Sequence, residues 1–205
     1  TLDRELILSY NAVFSCITLI SSDISKLRIK LVEFKPEWGI WEETTSPAYS
    51  PVLTKPNHFQ NRIQFIEAWI ISKLVHGNAY ILKRRDERRV VTELYVLDPT
   101  RVMPLVADDG SIFYRLSSDN LADIPGDVIV PAYDIIHDRF NCFYHPLIGM
   151  SPLYASSVAA TQGLNIQNNS ATFFGNRSQP GGVLTAPGSI DDSTAARLKE
   201  YWDGK

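Results

Sequence analysis

The sequence predicts an α+β fold, with helices before and after an antiparallel region and no βαβ alternation. Three observations carry this. Residues 3–24 and 61–77 place apolar side chains at three- and four-residue steps, as a helix with one buried face requires. Residues 79–137 break into short strand-like runs separated by turn residues. A third stretch, from Ser151 to Phe174, holds no charged residue and, after its opening Pro152, no further proline. At 205 residues the chain lies between one and two ordinary domains and can bury a substantial core.

Leu6, Tyr10, Val13, Ile17, Ile20 and Ile24 share one helical face, predicting an amphipathic helix over 3–24. Ile29 to Phe34 then alternates with period two. Pro36 and Gly39 supply a turn and Ile40-Trp41-Glu42 a return strand, so a short hairpin follows. Pro47, Pro51 and Pro56 interrupt ladder and helix alike, which makes 44–61 an extended loop. Asn61 caps the next helix, whose stripe is Phe65, Ile66, Trp69, Ile70 and Leu74. Gly77-Asn78 ends it, where a left-handed residue costs little.

Strands are predicted at 79–84, 90–97, 101–106, 112–116, 127–130 and 133–137. Asp86-Glu87-Arg88, Asp98-Pro99, Asp108-Asp109-Gly110 and Pro125-Gly126 mark the breaks, and the spacing fits an antiparallel meander. No Asp, Glu, Lys or Arg then occurs between Phe140 and Asn176. Ser151 as cap and Pro152 at the first position open a helix that runs to Phe174, closes at Gly175-Asn176 and measures about 36 Å at about 1.5 Å per residue. On a 100° wheel Thr161, Gln162, Asn165, Asn168, Asn169 and Thr172 gather on one side. Ala155, Ala159, Ala160, Leu164, Ile166, Phe173 and Phe174 gather on the other. Gly181 to Thr185 could add a strand, and Ser189-Ile190-Asp191 leads into a last helix with Ala195, Leu198 and Trp202.

Hydrophobic residues at 44% and charged residues at 21% are ordinary globular usage. A formal charge of -3 and a pI near 5.8 argue against a surface that grips nucleic acid by dense Lys and Arg. Cys16 and Cys142 are too few and too far apart for a disulfide framework or a metal knuckle, and read as reduced, mostly buried thiols. No apolar run approaches the ~20 residues of a membrane span, and the start lacks a signal-peptide layout. The chain opens on Thr1 rather than Met and stops at Lys205 straight after a helix-like stretch, as an excerpt of something longer does.

Few motifs invite chemistry. His137-Asp138 at a strand end suggests an acid/base pair, but adjacent strand residues point to opposite faces, so a structural histidine is the plainer reading. His58, His76 and His145 show neither HExxH spacing nor a paired Cys, and no Walker loop, GxGxxG or Gly-x-Ser-x-Gly elbow occurs. No metal or cofactor is called for. Lys83, Arg84, Arg85, Arg88 and Arg89 surround a turn that also holds Asp86 and Glu87. It reads as a solvated turn, with contact to a phosphate or acidic partner as the sharper alternative. The uncharged helix from Ser151 is the most informative feature. It is either a core helix with partly exposed amides, or one whose faces meet copies of itself and a water-filled space.

Ordered landmarks run along nearly the whole chain: Val13, Cys16 and Ile17; Lys55-Pro56-Asn57; Phe65 and Trp69 before Gly77-Asn78-Ala79-Tyr80; and Leu97-Asp98-Pro99. Gly110 and Tyr114, Ile135-Ile136-His137, Gly149-Met150-Ser151-Pro152-Leu153, Phe173-Phe174-Gly175-Asn176 and Pro180-Gly181-Gly182-Val183-Leu184 continue the series. In this order they resemble the portal proteins of tailed bacteriophages, in the lineage named after phage HK97.

That resemblance implies a homo-oligomeric ring, typically of twelve subunits, at one vertex of a capsid in the virion, assembled in the cytoplasm of the bacterial host. Double-stranded DNA passes through it, driven by the terminase large subunit, with capsid protein and a head-tail adaptor as further partners. Residues 1–148 then look like the wing, 149–178 like the stem helix region and 179–205 like the start of the clip. Catalysis is not implied. Asn165, Asn168 and Asn169 are expected to face a neighbouring stem helix or the passage, while Leu164, Ile166 and Phe173 pack inward. Two alternatives remain: a hydrolase or transferase using His137 and Asp138 in a cleft of the strand region, and a head-tail adaptor.

Overall fold

A computed structural model describes residues 4–45, 50–175 and 191–203. The chain divides into two compact units, Thr1–Leu164 and Asn165–Lys205. The fold is α+β, as the periodicities predict.

In the first unit the opening helix is broken in two, α1 Arg4–Leu8 and α2 Asn11–Ser25. Tyr10 takes an extended conformation (φ -74, ψ 117) as the cap of α2, so the predicted stripe does not stay on one face. Ile7 and Ile17 are buried while Leu6, Ile20 and Ile24 are exposed. The rest of the covered face is Ser21 and Ser25, which are tucked in because each hydroxyl donates to a carbonyl of its own helix, Thr18 at 3.1 Å and Ser22 at 2.9 Å. Cys16 and Cys142 are both exposed, contrary to the buried reading, since Cys16 lies off the covered face of α2 and Cys142 sits in the surface loop after the strand that ends at Arg139.

The hairpin is β1 Val32–Lys35 paired with β2 Ile40–Glu43, Phe34 opposite Trp41. The loop that follows contains a helix the sequence reading lacks, α3 Ser50–Thr54. Pro51 fits its first turn, where a missing N–H is no loss, and Val52 inserts into the core. Helix α4 Arg62–His76 forms as expected. The Asn61 side chain accepts from Gln64 N and the Gln64 side chain accepts from Asn61 N, and Gly77 closes the helix at φ 77.

The six strands appear at β3 Asn78–Arg85, β4 Val91–Leu97, β5 Val102–Val106, β6 Ile112–Leu116, β7 Val128–Pro131 and β8 Ile135–Arg139. They form two antiparallel sheets rather than one meander, in the orders β4-β3-β8 and β5-β6-β7. The difference arises because β8 returns past four strands to pair with β3, Ile81 opposite Ile136. β3 is thereby central and buried on both faces. Tyr80 and Leu82 join Tyr95, Tyr114, Leu116 and Ile135 between the sheets, whereas Ala79 and Ile81 pack with Phe65 and Val52 under α4 and α3. A third cluster of Ile7, Ile17, Val75 and Leu153, with Ala160, joins α1, α2 and α4 to the long helix α5 Pro152–Gly175.

In the second unit α6 Asp192–Asp203 matches the predicted last helix. Asp191 accepts from Ser193 Oγ at 2.8 Å and Thr194 N at 3.2 Å, bonds that hold its carboxyl below the usual range. The strand expected at Gly181 to Thr185 and the turn at Asn176 lie outside the described residues.

Candidate functional site

The long helix enters through a clasp built from residues at the end of α4, the start of β3 and the loop after β8. Gly77, left-handed, brings its backbone against Gly149, and there is no room for a Cβ on either. Phe140 N donates to Gly77 O at 2.8 Å. The buried Asn78 amide reads the same loop with both ends: Gly149 N donates to its Oδ1 at 2.9 Å and its Nδ2 donates to Gly149 O at 3.1 Å. Ser151 caps α5 as predicted, accepting from Leu153 N at 3.1 Å, and its hydroxyl donates to Leu74 O at 2.7 Å. One side chain therefore starts one helix and ties down the end of another.

His137 belongs to this clasp. Its ring stacks on Tyr80 with centroids 4.3 Å apart. Nε2 lies 3.2 Å from Asn78 Oδ1 and Nδ1 lies 3.1 Å from the Tyr114 hydroxyl. A neutral ring with its hydrogen on Nε2 satisfies both, donating to Asn78 and accepting from Tyr114. Burial, helped by Arg139 and opposed by Asp138, lowers the His137 pKa to about 4. Burial beside Tyr114 pushes the Tyr80 hydroxyl up to about 12. Asp138 points to the other face of β8, where Trp69 Nε1 donates to it at 2.9 Å and Lys73 Nζ at 2.8 Å. The two residues are not brought together as an acid/base pair. Both ring nitrogens of His137 are already spent on structure.

On α5 the described surface is neutral and open. Leu153 and Ala160 are buried and Leu164 is half-buried. Thr161, Gln162, Asn165, Asn168, Asn169 and Thr172 are all exposed. The two threonines turn their hydroxyls back onto their own helix, Thr161 to Ser157 O at 2.8 Å and Thr172 to Asn168 O at 2.9 Å, which leaves the amides as the outward polar groups. Ile166 and Phe173 do not pack inward as expected. Both are exposed, because the apolar side of the wheel comprises two stripes, and Leu153 and Ala160 fill only the one facing α1, α2 and α4.

The basic turn is internally built. Asp86 Oδ1 accepts from Arg88 N at 2.9 Å and Val90 N at 2.8 Å, and Arg89 is left-handed at φ 63. Arg84 pairs with Asp123 at 3.1 Å and Arg85 with Asp134 at 3.0 Å. These contacts account for two of the five cations.

Comparison with known proteins agrees with this architecture. The family model for phage portal proteins matches residues 11–205. A probable portal protein of Streptomyces phage phiC31 is 26% identical over 200 residues, covering 95% of this chain and 43% of that protein. An uncharacterised protein of Rickettsia felis is 28% identical over 207 residues, covering 91% of this chain and 48% of that protein. This chain thus spans less than half the length of these curated relatives. Among solved structures, a chain from the neck of a native gene transfer agent particle, computed with C12 symmetry, superimposes with a TM-score of 0.67 at 20% identity, covering 97% of this chain and 53% of its own. An HK97 family phage portal protein from Corynebacterium diphtheriae gives a TM-score of 0.61 at 15% identity, covering 97% of this chain and 59% of its own. These two likenesses speak for the fold. With a family match that leaves out only the first ten residues, the chain belongs to the phage portal protein family.

Proposed function

We propose that the protein is the portal subunit of a tailed phage or prophage, a ring-forming, non-catalytic channel component at one capsid vertex through which DNA is packaged and ejected. The observation that carries this is α5, 24 residues without a charge, seated by the clasp and exposed along its amide face. A passage for a sliding polyanion is best lined without Lys or Arg, since each phosphate contact adds counterion-release affinity and hence drag. Residues 1–148 form the wing in this reading, 149–178 the stem helix region and 179–205 the start of the clip. Asn165, Asn168 and Asn169 face a neighbouring stem helix or the passage.

The C12 treatment of the gene transfer agent neck supports twelve copies. The terminase large subunit, which supplies ATP hydrolysis, the capsid protein and a head-tail adaptor are the partners this role requires, and the virion is its place. The engagement of both His137 nitrogens supports a structural rather than catalytic part for that residue. Negative-stain imaging and native mass measurement of the whole protein test the reading. Closed rings are expected. A species that stays solitary at every concentration overturns it.

A further inference from the structure

Two exposed surfaces lie at opposite ends of the α2–α4 layer. Arg62, in the first turn of α4, donates to Ser25 O at 3.2 Å and Leu27 O at 2.6 Å, so the end of α2 and the root of the β1–β2 hairpin sit at the start of α4. His76 ends α4 and, with Arg4 at the start of α1, lines a cavity of about 550 Å³. A helix of 15 residues separates the two ends by about 22 Å, at about 1.5 Å per residue.

The hairpin is an arm with little to hold it. Both of its faces are exposed, and a two-stranded ribbon alone is marginal in water. Phe34 and Trp41 brace one another at 5.2 Å between centroids. Trp38 stands at the turn, 75% exposed, beside Gly39 at φ 63. Glu33 and Glu43 pair with Lys35 and Lys30, whereas Glu37 at the tip has no ion-pair partner among the described residues.

The cavity is its complement. Phe143, Tyr144, Ile148 and Tyr154 give it an apolar wall, with Phe143 69% and Tyr144 86% exposed. No Asp or Glu lines it, and Arg4 has no carboxylate partner among the described residues. Its volume falls in the range of roughly 300–1,000 Å³ that accommodates a drug-sized group. No hairpin residue lines the cavity of its own chain.

We infer that the hairpin tip of one copy docks in this cavity of the next copy, with Trp38 filling the aromatic wall and Glu37 pairing with Arg4 at the rim. Trp, Tyr and Arg are the residue types that dominate interface energies, and Arg4 can also rest on the indole face. Arm and cavity are different surfaces, so the contact is head-to-tail, the kind that closes into rings. The inference rests on the ring reading above and names the contact that joins neighbours.

Association of the whole protein, followed by mass measurement across a dilution series, tests it. Trp38→Ala and Tyr144→Ala should each weaken association at least tenfold. Glu37→Arg and Arg4→Glu should each do the same, and the two together should restore assembly, which a folding defect would not. In a Cys16→Ser, Cys142→Ser background, Trp38→Cys with Phe143→Cys should give a ladder of disulfide-linked multimers that neither single cysteine gives. Unchanged rings in Trp38→Ala, no rescue by the charge swap, or a ladder that stops at the dimer overturns this contact while the ring reading stands. A wild-type protein that never associates overturns both.

Discussion

Gly77 and Gly149 touch backbone to backbone, each occupying the space that a Cβ on the other would need. The end of α4 and the approach to α5 are locked together at this point, and Asn78 and Ser151 add hydrogen bonds on either side of it.

Gly149→Ala should therefore cost about 2–4 kcal/mol, because the new methyl meets backbone that cannot swing aside. Gly163→Ala is the control. The three atoms nearest its methyl are outer ring atoms of Tyr10, 2.6–2.8 Å away, at the far end of a side chain that can swing aside, so a loss below about 1 kcal/mol is expected. Urea unfolding of both variants measures the difference.

Asn78→Ala removes an amide that serves Gly149 N and O and faces His137. Leaving buried backbone groups unpaired should cost about 2–4 kcal/mol. Amide hydrogen exchange should show the gain in opening concentrated at Gly149 and the first turn of α5, with the β5-β6-β7 sheet unaffected.

Stability should fall on acidification between pH 6.5 and about 4. The folded His137 pKa lies near 4 and below its ordinary value of 6.5, so the unfolded chain takes the proton first. The contribution is complete above pH 6.5 and is lost as pH falls towards 4. The ring is only half-buried, so screening reduces the effect to about 1–2 kcal/mol. His76, also lowered by burial and by Arg4, slopes the same way. The part due to His137 is the slope that disappears in His137→Phe, read from unfolding midpoints at pH 7 and pH 4.5.

Asn165→Lys with Asn169→Lys should slow DNA translocation several-fold in a packaging assay using the whole protein, or prevent ring closure. Either result follows from placing cations on a face that meets DNA or a like-charged neighbour. Normal packaging by the double variant counts against the assignment of that face.

Local elements were legible because their signals are local. The Asn61 cap, the Gly77 stop and the Ser151-Pro152 start occur where the residues say, and all six strand runs between 78 and 139 are present. Partnership was not legible. Period-two alternation assigns a face to Ile81 and Ile136 without saying that they lie side by side. Ser21 and Ser25 look like solvent residues until their hydroxyls are seen to bond their own helix. The opposed directions of His137 and Asp138 follow from strand geometry alone, but Tyr114 and Asn78 as partners of the histidine required the fold. On α5 the wheel found the amide face, and could not divide the apolar side into a covered stripe and an open one.

The central place of β3 bears on how the chain is made. Its partner β8 leaves the ribosome more than fifty residues later, which at about 5–20 residues per second is a delay of about 3–10 s. During that interval a strand meant for burial on both sides has a free edge, and nascent chains on neighbouring ribosomes of one messenger carry the same edge. Chaperone demand during synthesis should therefore peak before Arg139 is exposed and drop once it pairs with Asn78.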